Sequence, residues 1–266
     1  MPSLRRSLLR RYRLFAPQLF RRALVLLVLL LFCDGITALY FPQIQSALSL
    51  NVPGSSQHPG AITPILTPMV TGANQEAVLA SDTFQRANQL YWGTSTDGQP
   101  WQGNANSARN FAISQNAGII SATTKPIFCD AILGPVAANV EITFSASLSH
   151  YGPSTLGAVL RWSNPNNLYK VYLDGQNLVL LRAMDGMVTP LQMIPFPARD
   201  GASYTFRFRA SGSRLSAMVW PSDQPAPTSW QISLSDNALS TGRAGIRVLA
   251  QNGVQARITS FMEVQV

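Results

Sequence analysis

The residues Val140–Leu148 read VEITFSASL, and apolar and polar side chains alternate along the whole stretch. Alternation with a period of two is typical of a β-strand that turns one face to the core and the other to solvent. Residues 203–210, SYTFRFRA, have the same period. The turn-forming residues 211–214 then lead into a further apolar run at 215–220, so the two segments predict a β-hairpin.

Turn-forming residues separate several more such runs from Asp82 onward. NPNN at 164–167 follows one run, and DGQN at 174–177 lies between two others. Roughly a dozen short runs divided by turns are typical of an antiparallel sandwich, which at this length buries a core without disulfide bonds. We therefore predict an all-β fold of two antiparallel sheets for residues 82–266. Cys129, the single cysteine of this region, excludes an intradomain disulfide.

The chain before residue 82 divides into three segments of different composition. Residues 1–22 contain seven arginines and no acidic residue, residues 23–41 read ALVLLVLLLFCDGITALYF, and residues 42–81 are rich in proline, serine, threonine and glycine. Arginines on one side of an apolar segment hold that side in the cytoplasm, and the apolar run is long enough to span a bilayer as a helix. We expect a basic cytoplasmic head, a transmembrane signal-anchor and an extracytoplasmic remainder at the cell membrane. A cleaved signal peptide, which would give a secreted protein, is the alternative.

Residues 42–81 are expected to form a flexible linker between the lipid bilayer and the β-domain. Proline follows threonine twice, at Pro64 and Pro68, and each proline restricts the residue before it to extended conformations. The formal net charge of the chain is +8, and the arginines of residues 1–22 account for all but one of these charges. The rest of the chain is therefore not basic enough to predict a nucleic-acid partner.

Short motifs spread along residues 82–266 indicate a family of folds. They are DTFQR at 82–86, WGTSTDGQPW at 92–101, RW at 161–162 with NLY at 167–169, LSAMVW at 215–220 with Pro227 and Trp230, and Gly242 with GI at 245–246. With these motifs the region resembles the concanavalin A-like lectin/glucanase superfamily in its laminin-G-like jelly-roll form. The resemblance implies two antiparallel sheets, one of them concave. Because the superfamily contains lectins, carbohydrate-binding modules, glycosidases and adhesive domains, it does not by itself name an activity.

The carboxylates of the chain do not match those of a glycoside hydrolase. Such enzymes usually place two carboxylates on either side of the scissile bond, and the related glucanases cluster theirs as E-x-D-x-E. The chain has only three glutamates, Glu76, Glu141 and Glu263, and they are far apart in sequence. We therefore predict that the protein is not an enzyme. The alternative is an atypical hydrolase site built from three aspartates, Asp97, Asp174 and Asp185.

The resemblance also implies a structural calcium ion, because many jelly-rolls of the superfamily hold one where the first and last strands meet. Asp82 and Glu263 are the acidic residues at these two places, and carboxylate oxygens suit calcium. The paired acids of the family appear here as SFME at 260–263, which departs from the pattern. Calcium at Asp82 and Glu263 is one interpretation, and an ion pair between Asp82 and Arg86 is the other. No other cofactor is predicted.

The polar phase of the central strands is the candidate ligand face. Arg161, Lys170 and Tyr172 alternate with apolar neighbours, and Arg182 adds a further planar donor. Sugars are bound by aromatic faces together with planar polar donors. These four residues therefore predict a surface for a glycan or another extracellular or cell-wall polymer. The alternative is an ordinary solvated face on a purely structural or adhesive domain that contacts other proteins.

Overall fold

The computed structural model describes residues 76–266. In it, short strands with alternating apolar side chains form two antiparallel β-sheets. The first sheet has nine strands and the second has seven. The strands are β1 Val78–Asp82, β2 Gln89–Leu90, β3 Gln102–Gly103, β4 Phe111–Ile113, β5 Gly118–Ser121, β6 Ile127–Ala137, β7 Val140–Leu148, β8 Thr155–Asn164, β9 Asn167–Leu173, β10 Asn177–Met184, β11 Met187–Pro195, β12 Ser203–Ser211, β13 Arg214–Pro221, β14 Ile232–Ser235, β15 Gly242–Ala250 and β16 Gln255–Gln265.

The strand order confirms the predicted all-β sandwich of two antiparallel sheets. The nine-stranded sheet runs β14-β13-β12-β7-β16-β5-β4-β2, and β1 also pairs with β16. The seven-stranded sheet runs β11-β10-β9-β8-β15-β6-β3. The stretch Val140–Leu148 is strand β7 and lies between β12 and β16, so the clearest alternation in the sequence occupies the middle of its sheet.

Aromatic side chains fill much of the space between the sheets. Phe144 of β7 stacks on Phe206 of β12 with ring centroids 4.7 Å apart. Trp92 and Trp101, which bracket the WGTSTDGQPW motif, are buried and meet edge to face at 4.7 Å. Burying a side chain of phenylalanine size stabilises a fold by roughly 2 kcal/mol. The two ends of the motif therefore contribute to the core.

The first strand begins at Val78, whereas the sequence predicts that the domain begins at Asp82. Val78–Asp82 pairs with the C-terminal strand β16, so Ala80 lies opposite Glu263 and Asp82 lies opposite Phe261. The predicted head (1–22), the predicted membrane span (23–41) and the linker up to residue 75 lie outside the described residues. Within residues 76–266, no helix is long and apolar enough to cross a membrane.

Candidate functional site

A cleft of about 270 Å³ opens on the outer face of the seven-stranded sheet. Side chains from six of its strands form the walls, and the turns after β8 and β10 close one side. The lining residues are Phe128, Thr155, Pro165, Asn166, Lys170, Tyr172, Leu181, Ala183, Gly186, Val188, Arg247 and Leu249. The cleft therefore combines two aromatic rings, two basic side chains and several aliphatic side chains.

One row of residues across the sheet forms the centre of the cleft. Asp130 of β6 pairs with Arg247 of β15, which pairs with Gly157 of β8, and Gly157 pairs with Tyr172 of β9. A Cβ atom at position 157 would lie 2.6 Å from the Cβ of Tyr172 and 2.2 Å from the Val171 carbonyl oxygen. Only glycine fits there, because the backbone and Cβ of β9 pack directly against this position.

Lys170 lies at the base of the cleft and is only 6% exposed. Its Nζ donates a hydrogen bond to Thr155 Oγ1 at 3.0 Å and lies 4.2 Å from the centroid of the Tyr172 ring. Burial, together with the positive charge of Arg247, lowers the pKa of Lys170 to about 7, and Asp130 opposes the shift. The amine therefore changes its charge near neutral pH.

Arg247 and Asp130 form a buried ion pair beside this lysine. Arg247 Nε lies 2.5 Å from Asp130 Oδ1, and Nη2 lies 2.7 Å from Oδ2. Trp162 Nε1 also donates to Oδ2, at 3.2 Å. The Asp130 carboxylate is thus held by three donors. Arg247 Nη1 has no hydrogen-bond partner among residues 76–266.

The rim of the cleft carries an unusually exposed aromatic ring. Phe128 of β6 is 65% exposed, although the residues beside it in the strand are buried or half-buried. It pairs across the sheet with Leu249, which pairs in turn with Thr155 on β8. Phe128 and Tyr172 therefore offer two aromatic surfaces to the same cleft.

A larger depression of about 810 Å³ lies at one end of the sandwich. It is formed by the loop after β11 and the turn after β13, with Phe196, Tyr204, Arg199 and Asp223 among its lining residues. Arg199 and Asp223 are both exposed to solvent, where a charged side chain is already well hydrated. The smaller cleft holds buried charged groups, and for this reason we place the candidate site there.

Comparison with solved structures identifies the architecture. The catalytic domain of an endo-1,3-beta-glucanase (laminarinase) from Thermotoga petrophila matches with a TM-score of 0.50 and 9% identity, over 71% of this chain and 98% of that one. The domain therefore has the concanavalin A-like jelly-roll fold. The xylan beta-1,4-xylosidase from Bacillus halodurans also has a TM-score of 0.50, with 11% identity over 80% of this chain and 41% of that one. The carbohydrate binding module CBM66 from Bacillus subtilis has a TM-score of 0.47 and 13% identity, over 60% and 94% of the two chains.

No family model matches the sequence, and a search of curated proteins found no significant match. The structural likenesses, at 9% and 11% identity, show the fold alone. The predicted resemblance is therefore confirmed for the architecture of the jelly-roll, and the choice among its activities depends on the site itself.

The jelly-roll brings two of the four predicted ligand residues together. Lys170 and Tyr172 both lie in the cleft, as their shared phase predicts. Arg161 does not join them, because a β-bulge interrupts β8 after Leu160 and Arg161 has a positive φ of 51°. Its buried guanidinium instead donates to the carbonyl oxygens of Ala138, Leu239 and Gly212. The prediction that Arg161 shares the ligand face is therefore wrong in its geometry, and this side chain holds loops together.

Arg182 also lies away from the cleft. Strand pairing sets it opposite Tyr169, whose side chain faces the core. Arg182 Nη1 lies 2.7 Å from Asp236 Oδ2, and the Tyr169 hydroxyl donates to the other oxygen of the same carboxylate at 2.5 Å. The prediction that Arg182 extends the ligand face is corrected in the same way. The register of the β9–β10 hairpin places the Arg182 side chain on the same side of the sheet as Tyr169, opposite to the cleft.

The two acids predicted for calcium do not fit the ion. Asp82 accepts hydrogen bonds from Arg86 at 2.8 and 3.0 Å and from Trp101 Nε1 at 2.7 Å. Although burial opposes the shift, the hydrogen bonds from Arg86 and Trp101 hold the pKa of Asp82 below its usual value. Within residues 76–266, no three acidic, histidine or cysteine side chains gather as metal ligands. The geometry agrees with the alternative interpretation, an ion pair between Asp82 and Arg86.

Glu263 is fully buried and has an unusual environment. It lies opposite Ala80 and faces Gly134 of β6, at which an added Cβ would lie 1.9 Å from the carboxyl oxygen. Neither of its oxygens has a hydrogen-bond partner among the described residues. Burial raises its pKa to about 8, and the nearby positive charge of Arg243 opposes the shift. We conclude that Glu263 is a protonated core residue at neutral pH.

The aspartates of the alternative hydrolase site have structural contacts of their own. Asp97 accepts hydrogen bonds from Ser95 and from the Ser81 amide. Asp174 accepts from two amides in its own turn, and Asp185 lies in the β10–β11 turn with a positive φ of 51°. None of these three aspartates lines the cleft.

Sequence reasoning missed Phe128, Asp130 and Arg247. A signal for them exists, because a charged residue interrupts an apolar run in both β6 (IFCDAIL) and β15 (GIRVLA). A single charged side chain in a buried strand needs a partner of opposite charge, and Asp130 and Arg247 are partners of each other. The two residues are 117 positions apart, so the pairing is visible only in the fold.

Proposed function

We propose that this protein is a membrane-anchored glycan-binding module that holds its ligand in the cleft above Lys170 and Tyr172, without catalysing a reaction on it. The observation that supports binding is the pairing of two accessible aromatic rings, Phe128 and Tyr172, with the basic donors Lys170 and Arg247 in one cleft. Aromatic faces pack against the apolar faces of sugar rings, and fixed donors then orient the hydroxyl groups.

The non-catalytic part of the proposal rests on the acids near the cleft. None of the lining residues is a carboxylate. Asp130, which contacts the lining residue Arg247, is held through both of its oxygens by Arg247 and Trp162. Glycoside hydrolysis usually needs two carboxylates about 5–10 Å apart. A binding role needs none.

The placement of the module is the second part of the proposal. Residues 23–41 are proposed to anchor it in the cell membrane with residues 1–22 in the cytoplasm. Residues 42–75 would then hold the jelly-roll away from the lipid surface, where it meets extracellular or cell-wall polymers.

A glycan array with the full-length chain tests the binding. The protein is purified in a zwitterionic detergent, because detergents with sugar head groups would compete for the cleft. We expect the wild type to be retained on at least one class of glycan and Phe128→Ala to lose at least tenfold in affinity, since truncating a buried aromatic contact costs about 1–3 kcal/mol.

The matched control is Val136→Ala. Val136 is an exposed apolar residue on the same strand, β6, and it does not line the cleft. Both substitutions are at exposed positions and should leave stability within about 0.5 kcal/mol of wild type. Equal loss of binding in both variants, or no binding of the wild type to any glycan, would contradict the proposal.

A structural or adhesive role is the second candidate, and the edge strand β11 favours it. Met187, Val188 and Met193 on this strand are exposed, and β11 pairs with a neighbour on one side only. Such an edge is able to add a strand from another protein, although Pro190 and Pro195 remove two of its amide donors. An array on which the wild type binds nothing would favour this role.

A further inference from the structure

Lys170 is a buried cation that forms no ion pair with an acid in the described part of the chain, residues 76–266. Lysine is almost never this deeply buried unless it is paired with an acid. Its ammonium has three donors, and among residues 76–266 only Thr155 Oγ1 accepts from Nζ. The Tyr172 ring provides a weaker electrostatic contact. Two donors of Nζ therefore remain without an acceptor, and the side chain lines the open cleft.

The charges around Lys170 do not balance. Arg247 of β15 adds a second cation, and within residues 76–266 Asp130 of β6 is the only acid whose charge acts on the lysine. Asp130 already binds Arg247 through both of its oxygens. The elements that complete the walls bring no further acid: β8 contributes Thr155, β9 contributes Tyr172, and β10 and β11 contribute apolar side chains. The cleft is therefore one negative charge short when the lysine is protonated.

We propose that the glycan bound in this cleft is acidic, and that a uronic acid residue places its carboxylate against Lys170 Nζ and Arg247 Nη1. The inference rests on the proposed function, because it names the class of glycan that the same cleft binds. A uronic acid carries its carboxylate directly on the pyranose ring. One residue of this kind therefore carries both a carboxylate for the basic donors and a ring face for an aromatic side chain of the cleft.

A carboxylate at this position also explains how a lysine is tolerated there. Without ligand, burial and Arg247 lower the pKa of Lys170 to about 7. A bound carboxylate favours the charged amine and raises that pKa, so binding takes up a proton above pH 7. The uronate itself stays ionised above about pH 4. We therefore expect the strongest binding between about pH 5 and 7 and a loss of up to about tenfold per pH unit above it.

Calorimetry with matched ligands tests this inference on the full-length chain in the same detergent. The probes are oligogalacturonate, oligomannuronate and oligoglucuronate, each compared with the product in which the carboxyl groups are reduced to alcohols. We expect at least one uronate to bind and its reduced form to bind at least tenfold more weakly. Between pH 6 and 8.5 the affinity of the wild type should fall by roughly tenfold.

Two lysine variants separate the role of Lys170 from that of charge in general. Lys170→Met keeps the length of the side chain and removes its charge, and it should lose at least tenfold in affinity together with the pH dependence. Lys125→Met is the matched control, because Lys125 is the other lysine of the chain and is exposed on a loop. It should bind as the wild type does.

Proton uptake by the wild type keeps the test independent of how the variants fold. Binding at pH 7.5, measured in two buffers of different ionisation enthalpy, should take up a fraction of a proton. Absence of uptake would overturn the inference, as would a folded Lys170→Met variant with unchanged affinity.

The choice of ligand also decides the inference. Equal affinity for the uronate and its reduced form, or a preference for sulfated glycans or for an acidic peptide such as polyglutamate, would overturn it. A wild type that binds neutral glycans alone overturns this inference and leaves the proposed function standing, whereas one that binds no glycan defeats both.

Discussion

Replacing Glu263 by glutamine should remove the largest pH-dependent loss of stability in this domain. Glu263 is 0% exposed, its two carboxyl oxygens lack hydrogen-bond partners among residues 76–266, and burial raises its pKa to about 8 from 4.5. A folded-state pKa above the unfolded value means that the native state binds the proton more tightly. The stability is then fully present below about pH 4.5 and is lost as pH rises through about 8.

The size of the effect follows from this shift. A shift of about 3.5 pKa units corresponds to about 5 kcal/mol at 1.36 kcal/mol per unit. Between pH 5 and 7 the loss should be about 2.5 kcal/mol, a large part of the roughly 5–15 kcal/mol that holds most domains together. Above pH 7, Lys170 acts in the opposite direction, because its pKa is lowered to about 7 and the folded state then favours the neutral amine. The window from pH 5 to 7 therefore isolates Glu263.

Urea unfolding of a fragment of residues 69–266, followed by tryptophan fluorescence, measures the effect. Wild type should lose about 2.5 kcal/mol between pH 5 and 7. The Glu263→Gln variant should start about 1–3 kcal/mol below wild type at pH 5, since a buried amide without partners is unfavourable, and should change little with pH. The curves should therefore converge or cross. Glu76→Gln at an exposed position is the matched control and should follow the wild type. A wild type equally stable at pH 5 and 7, or a Glu263→Gln variant that keeps the slope, would refute the reasoning.

Two further predictions concern the placement and the chemistry of the module. Protease added to intact cells should digest residues 76–266 and spare a tag at the N-terminus, because the arginines of residues 1–22 favour the cytoplasmic side; protection of the jelly-roll would show the opposite orientation. Incubation with a panel of glucans and acidic glycans should release no reducing sugar, because the cleft lining contains no carboxylate. Release that disappears on replacing Asp130 would instead reveal an enzyme.

The strands were predictable from local pattern because their alternation reports which face is buried. Val140–Leu148 is a strand with the bounds that the sequence predicts, and Lys170 and Tyr172 share one face because they are two residues apart in a regular strand. The same rule failed at Arg161, where β8 has one residue more than the facing part of β15 and the phase shifts. The bulge accompanies close packing of Gly242 against the Arg161 backbone, where a Cβ would lie 2.3 Å away. That contact joins residues far apart in sequence.

The partners of the cleft were not predictable for a related reason. Asp130 and Arg247 meet because β15 pairs with β6, and nothing local to either strand names the other as its neighbour. Arg182 illustrates the same limit, since only the register of the β9–β10 hairpin decides that it lies opposite Tyr169. Alternation assigns a residue to a face, but the strand order decides which residues meet on that face.

Lys170 and Glu263 show why a perturbed pKa alone does not locate a binding site. Both side chains are buried, and in both the pKa moves toward the neutral form for the same physical reason. Glu263 lies between the sheets with no exposed surface, so no ligand can reach it and its burial only lowers the stability of the domain at high pH. Lys170 lines an open cleft beside Arg247 and two aromatic rings, so an external carboxylate is able to supply the missing charge. Access to solvent therefore distinguishes a residue that recognises a ligand from one that belongs to the core.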